Sequence, residues 1–311
     1  MAVPITPLVR LAAHDAPVHA ITFSASPGQY LLTGSQDRKV RLFNPRAARL
    51  VHTYAAHAHG ILDLAVAADN ARFASVGGDK TVLLWDVAAG AVLRRLQGHA
   101  GRVECVRFGA VQDAVLVSGG FDGGVRVWDL RARGDGCIMV LRGARDAVAS
   151  VSVGDGVVVA GSVDGRVRSY DVRTGMCDTD VLGREAVGSV CLARDGESYV
   201  VSTLDSKVRM MDRRDGKCLQ TFAHEGFRND TSRIRSVLAA KDEVVISGGE
   251  DGEVFAWDVL TGKVTARVRH CEASGKGEKG DVVSAVAWNP AQQQWASAGG
   301  DGAVVVWGAA E

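Results

Sequence analysis

Residues 75 to 86 read SVGGDKTVLLWD, which places Ser75 four residues before Asp79, with His57 upstream and His99 downstream. A hydroxyl, an imidazole and a carboxylate are the parts of a nucleophile, its general base and the group that orients the base. One active site needs such a set once. Here His57, Ser75, Asp79 and Trp85 recur as His99, Ser118, Asp122 and Trp128, and again as His224, Ser247, Asp251 and Trp257. A set repeated at fixed spacing is architecture, so no catalytic residue is expected.

The elements that must position these side chains repeat with them. TGSQDRKVRLFN, SVGGDKTVLLWD, SGGFDGGVRVWD, AGSVDGRVRSYD, VSTLDSKVRMMD, SGGEDGEVFAWD and SAGGDGAVVVWG align without gaps. Their Asp falls at 37, 79, 122, 164, 205, 251 and 301, so the first four steps are 41 to 43 residues and the last two are 46 and 50. Within each unit, alternating Val and polar residues between Gly-rich turns predict four short strands, as in RVECVRF, DAVLVSGG, GVRVWDL and CIMVLRG. Seven such units predict an all-β, seven-bladed propeller spanning residues 1–311 as one domain. Blades are expected to begin near residues 14, 57, 99, 144, 184, 224 and 281. The seventh copy lacks a fourth strand, so residues 5–11 are expected to complete it and close the ring, which removes an exposed strand edge.

These segments resemble WD-repeat proteins over essentially the whole chain. The resemblance implies that each Asp lies in the tight turn between second and third strands, facing the His, and that the His reaches the Ser and the Ser the indole N–H. Blade one keeps His14, Thr33 and Asp37 but has Phe43 for Trp. Blades four and five lack the His and carry Ala160 and Val201 at the Ser position, so truncated networks are expected there.

Composition excludes several function classes. Lys and Arg number 36 and Asp and Glu 36, so no global field draws the protein to nucleic acid or an anionic membrane, and neither is an expected partner. The six cysteines are scattered without a CxxC pair, which fits free thiols in a reducing compartment. Neither a metal-ligand spacing nor a phosphate-binding Gly-rich loop is present, so no metal or cofactor is expected. No secretory pattern and no apolar run near ~20 residues is seen, which predicts a soluble intracellular protein. The Gly/Lys/Glu-rich connector at 271–281 is expected to be a solvated loop.

Binding is the expected activity, because loops of successive blades gather on two circular faces. The residue before each turn Asp is expected on the narrower face, where Phe121, Val163 and Leu204 are apolar and Glu250 is acidic. The starts of the first strands add Arg102, Glu104, Arg233 and Arg235. An apolar anchor with an arginine rim suits a protein interface; the competing reading of the same residues is a plug of the central channel.

GGDKTVLLWDVAAGAVLRRLQGHAGRV and ARDAVASVSVGDGVVVAGSVDGRVRSYDVRTG resemble the mitogen-activated protein kinase organizer family, as does TLDSKVRMMD with its missing Trp. That resemblance implies a non-enzymatic scaffold in nucleus and cytoplasm, with spliceosomal proteins or kinase-cascade components as partners. A substrate receptor of a ubiquitin ligase is the alternative.

Overall fold

Hydrophobicity along the chain sorts the strands by radius. First strands such as Val103–Phe108 and Val148–Val153 are buried on both faces for most of their length, because equivalent strands flank them. Outermost strands alternate: in Val264–Arg269 every second residue is exposed. Such a gradient needs sheets arranged radially, with first strands at the axis.

A computed structural model describes residues 3–109, 113–132, 134, 136–270 and 282–309. They form seven four-stranded antiparallel sheets, six of them built in chain order from the axis outwards. The fold is therefore an all-β, seven-bladed propeller. Blade one comprises Val18–Phe23, Leu31–Ser35, Lys39–Asn44 and Arg49–Ala55. The last sheet departs from chain order. Its strands Ala285–Asn289, Gln294–Ala298 and Val304–Gly308 take Thr6–Leu11 as the fourth, with Leu11 opposite Val304 and Val9 opposite Val306. Trp295 fastens the closure by donating its indole N–H to Pro4 O at 2.7 Å. The 271–281 connector lies outside the described residues.

Aromatic rings fill the space between sheets. In blade two Phe73 and Trp85 stack at 5.6 Å, and Tyr54 from blade one meets them edge-on at 4.7 and 5.5 Å. Burying an indole of roughly 200 Å² is worth about 5 kcal/mol of transfer free energy, so these rings are a large share of what holds adjacent blades together. At the axis the first strands are joined by side chains: Ser284 donates to Val18 O at 2.8 Å, and Val190 N donates to Ser150 at 3.1 Å. Asp63 accepts from Val106 N at 3.0 Å in the same way.

The tight turns after each Asp place the next residue at positive φ. Gly123, Gly165, Gly252 and Gly302 fill it in four blades, at φ 71 to 76°. Elsewhere Arg38, Lys80 and Ser206 adopt the same left-handed conformation.

Candidate functional site

The repeated quartets come first, because they decide what the serines and histidines do. In blade two Trp85 donates to Ser75 at 2.8 Å, Ser75 lies 2.7 Å from His57 Nε2, and His57 Nδ1 lies 2.6 Å from Asp79. Asp79 also accepts from Ala58 N at 3.2 Å, which ties the turn to the loop from the preceding blade. Blade three repeats this: Trp128 to Ser118 at 2.8 Å, Ser118 to His99 at 2.8 Å, His99 to Asp122 at 3.0 Å. In blade one His14 joins Thr33 at 2.7 Å and Asp37 at 2.8 Å, and Phe43 makes no polar demand. Ser75 and Ser118 are wholly buried, with no path to a substrate. Burial alone would raise the carboxyl groups of Asp79 and Asp122, but the hydrogen bonds from histidine and backbone hold both near 2. Burial pulls His14 and His99 below 6.5 despite their aspartates. These imidazoles are neutral brackets.

Three sequence expectations need correction. His224, Ser247, Asp251 and Trp257 do not form a network. His224 is exposed and accepts from Gly226 N at 3.0 Å, Asp251 is 46% exposed, and the buried Trp257 N–H meets no acceptor among the described residues. The cause is the longer loop before the first strand of blade six. It drives Phe227 into the wedge, edge-on to Trp257 at 5.1 Å and to Phe255 at 5.6 Å, while the His224 ring stays at the edge of the cluster, 5.3 Å from Phe255. Asn229, also buried, anchors that loop to blade five by donating its N–H to Ser206 at 2.8 Å.

Second, blade seven has a complete set that the sequence reading missed. His270 lies 2.8 Å from Ser297 and 3.3 Å from Asp301, and Trp307 donates to Ser297 at 2.8 Å. Its signal was present: His270 directly follows an outer strand, as His57 and His99 nearly do, but the connector hides it far from the next strand.

Third, blades four and five are not truncated. Arg168 binds Asp164 at 2.8 Å and Ser162 at 2.8 Å, and Arg209 reaches Thr203 at 2.6 Å and pairs with Asp205. The hydroxyl has moved two residues towards the turn, and an arginine four residues after the Asp takes the histidine's place. Against its own burial, Asp164 is held near 2 by Arg168 and Ser162.

The unrepeated residues gather elsewhere. Phe121 (54% exposed), Val163 (37%) and the half-buried Leu204 stand on successive blades around a groove of ≈ 250 Å³, each directly before its turn Asp. Its floor is Ala147, Ala149, Ala186 and Gly188, small residues at the starts of the first strands of blades four and five. Arg102 lies over the Phe121 ring at 4.9 Å and pairs with Glu104. From the far side, Arg233 of blade six crosses to Glu104 of blade three at 3.0 Å. Five of the eight expected binding residues thus converge with Arg102: Phe121, Val163, Leu204, Glu104 and Arg233.

Two do not belong to that rim. Arg235 is buried inside the channel, 2.8 Å from Asp63 and 3.2 Å from Leu62 O, and desolvation brings it down to about 10 against the pull of Asp63. It serves as a brace across the axis. Glu250 accepts from Thr231 N at 2.7 Å and from Asp230 N at 3.2 Å, so it shapes the loop that carries Arg233. Among the described residues no three His, Cys, Asp or Glu side chains are grouped to hold a metal ion, and no helix is long and apolar enough to cross a membrane.

Comparison with known proteins adds two findings. The family profile described as "WD domain, G-beta repeat" matches residues 5–44, 48–86, 90–129 and 269–308, the segments that carry His14, His57, His99 and His270. The chain is 38% identical to the human WD repeat domain-containing protein 83 over 98% of this chain and 93% of the human one. It is 27% identical to the WD repeat domain-containing protein 83 homolog of Dictyostelium discoideum, covering 97% of each. It is 28% identical to Autophagy-related protein 16 of Arabidopsis thaliana, over 98% of this chain and 58% of the plant protein.

Proposed function

The chain belongs to the WD40 repeat family, and we propose that it is a non-enzymatic scaffold that grips other proteins through the narrower face. One observation carries this reading. Phe121, Val163 and Leu204 are apolar, differ from blade to blade and surround a groove, at positions where the propeller needs none of their bulk. Interfaces draw most of their energy from a few such anchors, with charged neighbours tuning rate and selectivity. By resemblance to the mitogen-activated protein kinase organizer family, we assign it spliceosomal proteins or kinase-cascade components as partners and a place in nucleus and cytoplasm.

Affinity capture from the native cell with quantitative mass spectrometry tests this, run with the wild-type chain and Phe121→Ala. Splicing or kinase-cascade proteins are expected with the wild type and are expected to drop about tenfold or more with the variant, at an unchanged melting temperature. Recovery of cullin components instead would favour the ubiquitin-ligase alternative. Equal recovery with both chains would move the site off this face.

A further inference from the structure

The groove's charge balance points to the kind of segment it takes; the inference rests on the proposed use of this face. Around the channel four guanidiniums share two buried carboxylates. Arg107 and Arg235 both bind Asp63 at 2.8 Å, while Arg102 and Arg233 both pair with Glu104. Arg233 binds Glu104 through Nη1, and its buried Nη2 has no acceptor among the described residues, while the Arg102 side chain is 56% exposed. At the channel mouth, where the groove ends, three of these arginines, Arg102, Arg233 and Arg235, therefore face one lining carboxylate, Glu104.

The groove and the channel mouth are one continuous surface, because Arg102, Glu104 and Arg233 line both. An occupant seated between Phe121, Val163 and Leu204 has its neighbouring residue over these arginines. Asp146 on the same lining sets a limit. It opposes an acidic run, so a lone anion beside an apolar residue fits and a polyacidic stretch does not.

We propose that the groove binds an extended peptide segment in which one apolar side chain fills the space between Phe121, Val163 and Leu204 and an adjacent anionic side chain meets Arg233 and Arg102. A carboxylate is the chemistry assigned; a phosphoserine presents the same charge to the same donors.

Panning a phage-displayed random twelve-residue peptide library on the full chain tests it. Enriched sequences are expected to pair an aliphatic or aromatic residue with Asp or Glu within two positions. The best synthetic peptide should lose at least tenfold in affinity to Phe121→Ala, to Arg233→Gln, and when its own acid becomes the amide. Arg102→Gln, at an exposed position, gives the same readout should Arg233→Gln lower the melting temperature. Tenfold tighter binding of the phosphoserine peptide would identify phosphate as the source of the charge. If Phe121→Ala abolishes binding while the amide peptide and the arginine variants bind normally, the apolar site stands and the anionic one falls. If none of the changes matters, or no peptide is enriched, both fall. A 20-nucleotide single-stranded RNA that displaces the peptide would overturn the protein-segment assignment.

Discussion

Blades three and four stand side by side and hold the same turn with different chemistry. Asp122 is held by a neutral imidazole, which is held in turn by Ser118 and the Trp128 indole. Asp164 is held by the guanidinium of Arg168, only 3% exposed, with Ser162 beside it. Ala160 and Tyr170 then occupy the Ser and Trp places, so neither place holds a serine or an indole that the missing His would strand. What every blade must satisfy is the buried face of the turn carboxylate; the partner's identity is free. Blade six shows the limit of that freedom. There Asp251 has moved towards water, and only the wedge is kept, by Phe227.

Substitutions sharpen this contrast by their ranking. Arg168→Ala should cost most, about 3–5 kcal/mol, because it strands a largely buried carboxylate without its counter-charge. His99→Ala should cost ~1–3 kcal/mol, since Arg126 remains 2.8 Å from Asp122. Chemical denaturation of the two variants measures both, and the reverse order would mean that the imidazole, not the ionic pair, is the stronger bracket.

Acidity separates the two kinds of blade further. His14 and His99 have folded pKa values below 6.5 because burial disfavours their charged forms. Between pH 7 and those lowered values the unfolded chain binds more protons, so their contribution to stability falls as pH drops through 6.5. In the Arg168 bracket, Asp164 stays ionised until about pH 2. Amide exchange around the turns at 35–38 and 120–124 should therefore speed up at pH 5.5 relative to pH 7, after correction for intrinsic rates, more than around 162–166. Equal change in all three turns would remove the distinction. Below pH ~4, stability held by Asp79, Asp122 and Asp164 should fall together, as each is pushed through its folded value of about 2.

The smallest effect belongs to blade six. Trp257→Phe removes an N–H that has no acceptor among the described residues and should change stability by less than about 0.5 kcal/mol, whereas Trp128→Phe takes a hydrogen bond from Ser118 and should cost about 1 kcal/mol. Thermal denaturation of both variants decides it.

The propeller, its seven units and the closing strand were legible because turn aspartates and aromatics recur at a nearly constant step. The networks were legible only where that step held. Before blade six, extra residues replace the bracket by Phe227, and spacing cannot reveal which ring enters a wedge. Before blade seven, a longer connector separates His270 from its strand. In blades four and five the substitute lies four residues after the Asp rather than upstream, so a search for the missing histidine passes over Arg168 and Arg209. Phe121, Val163 and Leu204 could be placed together by counting from the turn Asp. Arg235 could not, because only two positions, from Arg233 to Arg235 just before a first strand, separate the rim from the axis.

The central claim is that repeated polar residues hold the blades while unrepeated residues on one face bind. Its most direct test is a paired measurement on Phe121→Ala and His99→Ala: thermal midpoint for each, and affinity for the peptide enriched on the wild-type chain. The account predicts that Phe121→Ala loses at least tenfold in affinity with its midpoint unchanged, while His99→Ala lowers the midpoint and binds normally at temperatures where it is folded. Phe121→Ala that melts early and binds as tightly as the wild type would contradict it.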